Sequence, residues 1–229
     1  MPVADLEPLK EQAALEALAH IQSGMTLGLG TGSTAKYLIQ ALGQRLKEGE
    51  LQAITAVPTS EATATMARDL GIPLQDLGAS GVDVAIDGMD EVTGTLDAIK
   101  GLGGALAREK VVAARALRFI LIGDETKRVR YLGEKAPVPV EVLPFGWRAA
   151  QADLRRLGCN PILREKESEL VTSDNGNYLL DCHFSAAFDA QEVALAMSVI
   201  PGVLEHGLFL GLAARAFIAT PEGVAELSV

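Results

Sequence analysis

The first 130 residues alternate between short apolar segments and segments with a helical repeat of apolar side chains. Short apolar strands separated by helices favour a parallel sheet that is covered on both faces. The predicted strands are Met25–Gly28, Ala53–Val57, Val82–Ile86 and Phe119–Ile122, and the predicted helices are Leu9–Ile21, Ser33–Leu46, Glu61–Leu70 and Ala105–Leu117. Ligands of such sheets bind at the carboxyl ends of the strands. We therefore expect the loops Gly28–Thr34 and Asp87–Glu91 to lie at one ligand-binding edge.

The pattern changes after residue 133, where strands and helices follow the order β-α-β-β-α-β, typical of a ferredoxin-like unit. The segments are Val138–Leu143, Trp147–Leu157, Pro161–Arg164 with Glu169–Thr172, Tyr178–Phe184, Gln191–Ile200 and Val203–Glu205. An Asn-Gly pair within Ser173–Asn177 favours a hairpin turn before the return strand. The sequence therefore predicts an α/β protein with two domains. A Rossmann-like, mostly parallel sheet domain takes residues 1–132 and 207–229, including the apolar tail Leu208–Ile218, and a smaller ferredoxin-like α+β domain takes residues 133–206.

Charge and composition exclude several kinds of partner. The chain has 229 residues, of which 48% are hydrophobic, and a net charge of −10, so it is globular and lacks the basic face of a nucleic-acid binder. It contains no signal-peptide pattern and no apolar run long enough to cross a membrane, so we expect a cytoplasmic protein. Cys159 and Cys182 have no zinc-ligand spacing, and we expect two buried reduced thiols.

The segment Gly28–Thr34 reads GLGTGST and leads from a predicted strand into a predicted helix. Successive backbone N–H groups and a helix N-terminus favour a bound anion, and Lys10 and Lys36 could add positive charge. The spacing is neither a dinucleotide fingerprint nor a Walker loop. An anion site and a purely structural glycine turn both remain open. Likewise Pro58–Thr63 is typical of a helix N-cap, although its hydroxyl groups could also face the site.

Acidic residues cluster directly after the third predicted strand, where Asp87, Asp90 and Glu91 fall within five positions. Their mutual repulsion is relieved where they share protons or meet a cation. An ordinary solvated Asp-Gly turn is the alternative. Lys100 is the nearest candidate cation in sequence, and it precedes a GLGG segment at which a ligand can approach the backbone closely. A surface lysine is the alternative for this position.

Glu109 falls within a predicted helix. The residues three and four positions before and after it are all apolar. A carboxylate on an apolar helix face is desolvated, and desolvation makes it a better base near neutral pH. A solvated surface glutamate is the alternative. Together with the aspartates and Lys100, this residue suggests proton-transfer chemistry on a small polar substrate without a metal.

Five motifs follow one another along nearly the whole chain. They are GLGTGSTA (Gly28–Ala35), VPTS (Val57–Ser60), DGMDEV (Asp87–Val92), KGLGGALAREK (Lys100–Lys110) and PGVLEHGLF (Pro201–Phe209). In this order they resemble the ribose-5-phosphate isomerase A family. The resemblance implies metal-independent, reversible conversion of D-ribose 5-phosphate to D-ribulose 5-phosphate through an enediolate, in the non-oxidative pentose phosphate pathway. It also implies a homodimer or homotetramer that binds this small-molecule substrate and no cofactor.

The resemblance assigns roles residue by residue. Glu109 matches the proton-transferring glutamate, and Lys100 matches the lysine near the reacting oxygens. Asp87 and Asp90 match the aspartates that handle oxygen-bound protons. The positions implied to bind substrate are Lys10, Thr31, Gly32, Ser33, Thr34, Gly88, Met89, Gly101, Leu102, Gly103 and Lys127. Leu102 stands where the family often has a small residue, and we expect only a small effect on loop shape.

Three neighbouring residues receive no catalytic role from the resemblance. Glu91 and Lys110 are expected to be supporting positions. His206 lies beside Glu205 in the last motif, and we expect it to be a packed structural histidine.

Three other functions share parts of the pattern. Two are enzymes with a related fold, an amino-sugar-phosphate deaminase and an acyl-CoA transferase. The third is a non-catalytic sugar-phosphate sensor of the kind found in transcription regulators. The sensor would have little use for an acid–base set, and no basic DNA-binding segment accompanies the pattern.

Overall fold

The computed structural model describes residues 6–228. In chain order the first elements are α1 (Glu7–Leu18), β1 (Thr26–Leu29), α2 (Ala35–Lys47), β2 (Thr55–Pro58), α3 (Glu61–Asp69), β3 (Val82–Gly88), β4 (Glu91–Val92), β5 (Ala98–Ile99), α4 (Leu106–Ala113) and β6 (Ala116–Asp124). A 3-10 turn (Glu125–Lys127) leads to β7 (Val138–Val142), α5 (Trp147–Arg155), β8 (Cys159–Leu163), β9 (Glu165–Lys166), β10 (Glu169–Leu170), β11 (Tyr178–Phe184), α6 (Ala190–Ser198), β12 (Val203–His206), β13 (Leu208–Phe209), β14 (Arg215–Thr220) and β15 (Gly223–Ser228). No helix in this range is long and apolar enough to cross a membrane.

The described chain divides into two compact units. The first consists of the chain up to Met89, Arg108–Arg128 and the chain from Leu212 onward. The second consists of Asp90–Ala107 and Val129–Gly211. The smaller domain predicted for residues 133–206 lies within the second unit, which also includes the segment from Asp90 to Ala107.

A six-stranded sheet forms the centre of the first unit, in the order β15-β14-β6-β3-β1-β2. Neighbouring strands are parallel except in the β14–β15 hairpin. Buried residues of α1, α2 and α3 join those of the strands in one core, which includes Leu18, Leu38, Ile86 and Ile120. The predicted mostly parallel, helix-covered sheet is confirmed.

Two segments of the first unit differ from the sequence prediction. The helix predicted for Ala105–Leu117 ends at Ala113, and β6 begins at Ala116, paired with Val82 of β3. An apolar helix is followed directly by an apolar strand here, so the periodicity of the sequence does not mark the boundary between them. Pairing with β3 determines where the strand begins. In the apolar tail, Arg215–Thr220 lies parallel to β6, whereas Leu208–Phe209 forms β13 against β5 in the second unit.

The second unit contains a four-stranded antiparallel sheet in the order β12-β7-β11-β8. With α5 and α6 it gives the β-α-β-β-α-β order and the strand arrangement of a ferredoxin-like fold, as predicted. Leu154 of α5 and Met197 of α6 are fully buried against the sheet. Cys159 and Cys182 are buried free thiols, which agrees with the prediction.

Candidate active site

The carboxyl ends of β1 and β3 bring Thr31 and Asp87 together. The two strands are parallel, with Leu29 opposite Ile86, so the loops that follow them leave the sheet at the same edge. The Thr31 N–H donates to Asp87 Oδ1 at 2.9 Å, and the Gly88 N–H donates to the same oxygen at 2.7 Å. Asp87 is buried, with 3% of its surface exposed. The structure therefore confirms that the Gly28–Thr34 loop and the first residues of the Asp87–Glu91 segment share one edge.

Gly30 makes this approach possible. A Cβ at this position would lie 2.2 Å from the Asp87 carboxyl carbon, far inside van der Waals contact. Its own N–H donates to the Ile86 carbonyl at 3.0 Å, which fixes the loop against β3. The sequence marks this glycine as part of an anion loop but gives no sign that it leaves room for the aspartate.

Three hydroxyl groups, from Thr59, Ser60 and Thr63, hold the Thr31 side chain. Thr31 Oγ1 lies 2.8 Å from Thr59 Oγ1 and donates to Ser60 Oγ at 2.9 Å. Ser60 in turn donates to Thr63 Oγ1 at 3.1 Å, and Thr63 donates to the Gly30 carbonyl at 2.8 Å. Ser60 also caps α3, since its Oγ accepts the Thr63 N–H at 3.0 Å. The PTSEAT segment is thus both a helix cap and a support for the first loop.

The backbone of residues 32–34 is arranged to meet an anion. Gly32 has a φ of +109°, a region that favours glycine, and the loop opens into the 13-residue helix α2. Among the described residues, no acceptor receives the N–H groups of Gly32, Ser33 and Thr34. The Thr34 side chain is buried, whereas Gly32 and Ser33 are exposed. Exposed N–H groups at a helix N-terminus favour negative charge.

Lys10 and Lys36 meet on one carboxylate. Lys10 Nζ lies 2.6 Å from Glu7 Oε1, and Lys36 Nζ lies 2.8 Å from Glu7 Oε2, which also accepts the Tyr37 hydroxyl at 2.6 Å. The hydrogen bonds from Lys10, Lys36 and Tyr37 lower the pKa of Glu7 to about 2. Since Lys36 is two residues past Thr34, this cluster brings Lys10 to the same end of α2 as the loop.

Glu109 lies in the first turn of α4 and is 5% exposed. Val112, one turn later on the same helix face, packs against β1: a Cβ on Gly28 would meet its Cγ1 at 2.5 Å. The neighbouring Arg108 lies at a partly exposed position, where it pairs with Glu61 at 2.8 Å. The predicted burial of the Glu109 carboxylate is confirmed.

In the second unit, Asp90 contacts the glycine loop through its side chain. The Asp90 N–H donates to the Ile99 carbonyl at 2.8 Å, and Asp90 Oδ2 accepts the Leu102 N–H at 2.9 Å. Gly101 has a φ of +105°, and a Cβ there would lie 2.6 Å from Leu106 Cβ. Leu102, the departure from the family pattern, is 42% exposed. The loop therefore keeps its contact with Asp90 while the larger side chain points outward.

Lys100 is 2% exposed and is therefore not a surface lysine. Its N–H donates to the Gly207 carbonyl at 2.9 Å, and its Nζ lies 5.5 Å from the centre of the Phe209 ring. A Cβ on Gly207 would lie 2.2 Å from the Lys100 carbonyl oxygen. The PGVLEHGLF motif thus supports the lysine. His206 in this motif is 6% exposed, and its Nε2 lies 3.2 Å from Ser198 Oγ, in agreement with a packed histidine.

Glu91 has a structural role that its acidic neighbours do not share. It is fully buried, and its carboxylate accepts the N–H groups of Gly133, Lys135 and Ala136 at 2.5–2.6 Å. Three backbone donors stabilise a buried carboxylate and fix the loop that supplies them. The predicted supporting position agrees with this geometry.

Two predicted substrate-binding residues lie near the end of β6. Met89 is 6% exposed, and its side chain packs on Gly123, whose Cβ would meet the Met89 methyl carbon at 2.8 Å. Lys127 ends the 3-10 turn, which Asp124 caps by accepting the Thr126 N–H at 3.0 Å. Within residues 6–228, no group of three or more His, Cys, Asp and Glu side chains is arranged to hold a metal ion.

The chain is similar in sequence to known enzymes of one family. A sequence model of ribose 5-phosphate isomerase A (phosphoriboisomerase A) matches residues 55–223. The ribose-5-phosphate isomerase A of Deinococcus radiodurans is 50% identical over 224 residues, which cover 98% of this chain and 99% of that protein. The corresponding protein of Thermococcus kodakarensis is 42% identical over 227 residues, which cover 97% and 99%.

Solved structures agree with this relationship. A ribose 5-phosphate isomerase from Plasmodium falciparum has a TM-score of 0.95 and 38% identity, with 97% of this chain and 99% of that chain covered. A D-ribose-5-phosphate isomerase in complex with phospho-erythronic acid has a TM-score of 0.95 and 41% identity, with 98% and 100% covered. The chain therefore belongs to the ribose 5-phosphate isomerase A family.

Proposed function

We propose that the chain interconverts D-ribose 5-phosphate and D-ribulose 5-phosphate, an aldose–ketose isomerisation of the pentose phosphate pathway. Beside family membership, one observation carries the proposal: the Glu109 carboxylate is buried in the first turn of α4. A relative of 41% identity is described with phospho-erythronic acid, which joins a phosphate and a carboxylate in one small molecule. The planar carboxylate of such a sugar phosphate resembles the planar enediolate of a pentose phosphate.

Glu109 acts as the base that moves one proton between C2 and C1. A proton next to a carbonyl group is weakly acidic, so the reaction needs a positioned base and a partner for the developing oxyanion. Burial keeps bulk water away from the Glu109 carboxylate, so that the group can be held against the proton of the substrate. Lys100 stabilises the enediolate, since its 2% exposure limits the screening of its charge by water.

Asp87 and Asp90 handle the oxygen-bound protons of ring opening and enediol formation. Each carboxylate is oriented by backbone N–H groups, Asp87 from Thr31 and Gly88 and Asp90 from Leu102. A carboxylate that relays a proton is protonated for part of the catalytic cycle. At least one of the two aspartates therefore carries a proton at some stage of the reaction.

The phosphate binds to the N–H groups of Gly32, Ser33 and Thr34 at the start of α2, with positive charge from Lys10 and Lys127. This contact, remote from the reacting carbons, orients C1 and C2 toward Glu109. Backbone groups of Gly88, Met89 and Gly101–Gly103 contact the sugar. Met89 contributes through its backbone, because its side chain is buried in the protein. A local cluster of N–H groups and lysines thus holds an anion on a protein of net charge −10.

The assembly and location belong to the proposal as well. The active species is a homodimer or homotetramer, as the family resemblance implies, and we propose that it acts in the cytoplasm. Light scattering coupled to size-exclusion chromatography measures the mass of the assembly directly, and a monomer of 24.1 kDa at assay concentration would contradict this part of the proposal.

The test is to incubate the purified chain with ribose 5-phosphate and to follow ketose formation. We expect isomerisation by the wild type and a fall in kcat of roughly 10²–10⁴-fold for Glu109→Gln, with little change in KM. The substitution keeps the size of the side chain but removes the base.

Glu16→Gln is the matched control, because Glu16 is an exposed helical glutamate. It should retain wild-type kcat and KM. Failure of the wild type to form ketose would refute the proposed reaction, and near-wild-type turnover by Glu109→Gln would remove Glu109 from the role of base.

A further inference from the structure

The Arg164 side chain joins the ferredoxin-like sheet of the second unit to its glycine loop. Arg164 follows β8, and its backbone is fixed to β11 because its N–H donates to the Leu179 carbonyl at 2.8 Å. Its Nε donates to Asp181 Oδ2 at 2.9 Å, and its Nη2 lies 2.5 Å from Asp181 Oδ1. Its Nη1 donates to two carbonyl oxygens of the loop, Gly101 at 3.2 Å and Leu102 at 3.0 Å.

Arg164 thus contacts the same residue that orients Asp90. The carbonyl of Leu102 accepts from Arg164, and the N–H of Leu102 donates to Asp90 Oδ2 at 2.9 Å. Glycines give this loop little conformational preference of its own: Gly101 and Gly104 have φ values of +105° and +85°. A loop of this composition needs outside contacts to hold one backbone conformation.

We propose that Arg164, fixed by Asp181, is a positioning residue that sets the Gly101–Leu102 backbone and through it the orientation of Asp90. The inference rests on the proposed function, since it assigns Asp90 to the proton transfers of that reaction. Arg164 is 13% exposed and Asp181 is 18% exposed at the side chain, so the pair is little screened by water.

The chemistry of the position requires arginine. A guanidinium group holds its N–H donors in a rigid fork, so two of them bind one carboxylate while the third nitrogen faces the loop. A lysine has one ammonium group and can keep the ion pair with Asp181 or reach the loop, but it does not reproduce both contacts. Arg164→Lys therefore separates the charge of the residue from its geometry.

The experiment compares Arg164→Lys and Asp181→Asn with the control Arg156→Lys. Arg156 also pairs with an aspartate, Asp153, but its side chain is 79% exposed and both residues are remote in sequence from the loop. We expect Arg164→Lys to lower kcat by about 10–100-fold, because a misplacement of about 1 Å costs up to that much. KM should change by a smaller factor than kcat, since the phosphate contacts are unchanged and only the contacts of the Gly101–Leu102 backbone with the sugar are disturbed. Asp181→Asn should act in the same direction, and Arg156→Lys should match the wild type.

Amide hydrogen exchange gives a second measurement that does not depend on turnover. We expect faster exchange at residues 101–104 in Arg164→Lys and unchanged exchange in β11. Wild-type kcat in both Arg164→Lys and Asp181→Asn would overturn the inference, and so would a low kcat with unchanged exchange in the loop. If Arg164→Lys does not fold, Asp181→Asn decides by the same two measurements. A wild type that forms no ketose would refute the proposed function, whereas the exchange data would still test the loop contact.

Discussion

Three glycines of the first loop serve three different physical purposes. Gly28 leaves room for Val112 of the helix that carries Glu109, and Gly30 leaves room for Asp87. Gly32 instead adopts a positive φ, and an added Cβ would meet no atom within 4 Å. From the sequence all three belong to one glycine loop, which is either an anion site or a structural turn, because residue types do not reveal which atoms from distant parts of the chain lie opposite each glycine.

Replacing Gly30 with alanine should disturb Asp87 directly. The added Cβ would lie 2.2 Å from the Asp87 carboxyl carbon, so the loop or the carboxylate must move. We expect a loss of about 1–3 kcal/mol in the free energy of unfolding and a fall in kcat of about 100-fold. Urea denaturation and the ketose assay measure the two effects.

Gly78→Ala is the control for this substitution. A Cβ on Gly78 would meet only Ser80 Oγ, at an ordinary 3.8 Å, so its stability and kcat should stay near those of the wild type. Equal behaviour of the two variants would show that the close approach at Gly30 has no functional consequence.

The acidic cluster illustrates how far residue types alone can be interpreted. Asp87, Asp90 and Glu91 looked alike until the family resemblance separated them. The structure gives the physical difference: Glu91 binds three backbone N–H groups in the segment Gly133–Ala136, more than forty residues away. Such long-range contacts leave no local pattern in the sequence, and Arg164, which supports the glycine loop, was missed for the same reason.

At the scale of elements, the start of α3 has two functions at once. Ser60 caps the helix by accepting a hydrogen bond from the Thr63 N–H. Its Oγ also accepts a hydrogen bond from the Thr31 hydroxyl. Asp189 provides a comparison, since it caps α6 by accepting the N–H groups of Gln191 and Glu192 and makes no such second contact in the described structure.

Ser60→Ala and Asp189→Ala should therefore both lower stability, Ser60→Ala the more because it also loses the hydrogen bond from Thr31, and only Ser60→Ala should lower activity. Loss of either cap should lower the free energy of unfolding by about 1 kcal/mol. Only Ser60→Ala should also lower kcat/KM, by about tenfold, because a hydrogen bond worth about 1 kcal/mol that positions Thr31 is lost. Urea denaturation and steady-state kinetics provide the measurements. An equal kcat/KM in both variants would reduce the role of Ser60 to capping.

The elements with clear periodicity could be predicted from the sequence, and the others could not. The strands of the parallel sheet and the order of the ferredoxin-like unit follow from apolar runs separated by helices and an Asn-Gly turn. The two-residue strands β4, β5 and β13 have no period to detect, yet they carry Asp90 and Lys100 to their places. Glu91–Val92 pairs with the nearby Ala98–Ile99, which in turn pairs with Leu208–Phe209, a segment that is distant in sequence.

At the scale of the whole molecule, titration of a few groups should set the loss of stability in acid. The pKa of His20 is lowered, first because the ring is partly buried and then because of the positive charges nearby. The ring lies 5.3 Å from that of Phe217. The charged groups around it are Arg215, Arg118, Glu226 and Glu16. At lower pH, the pKa of Glu7 is held at about 2 by its hydrogen bonds to Lys10, Lys36 and Tyr37.

Stability should therefore fall in two separate pH ranges. A neutral His20 stabilises the folded state above the ordinary histidine pKa of about 6.5, and this contribution is lost as the pH falls through the lowered folded value. The ionised Glu7 contributes above its unfolded pKa of about 4.5, and that contribution is lost as the pH falls toward about 2. Between pH 7.5 and 5.5 we expect Tm to decrease by at most about 2 °C, because His20 is only partly buried. His20→Gln should lack most of this decrease, whereas His183→Gln, at an exposed histidine, should keep it. Calorimetry at the two pH values measures the difference, and an equal decrease in both variants would show that another group controls this range.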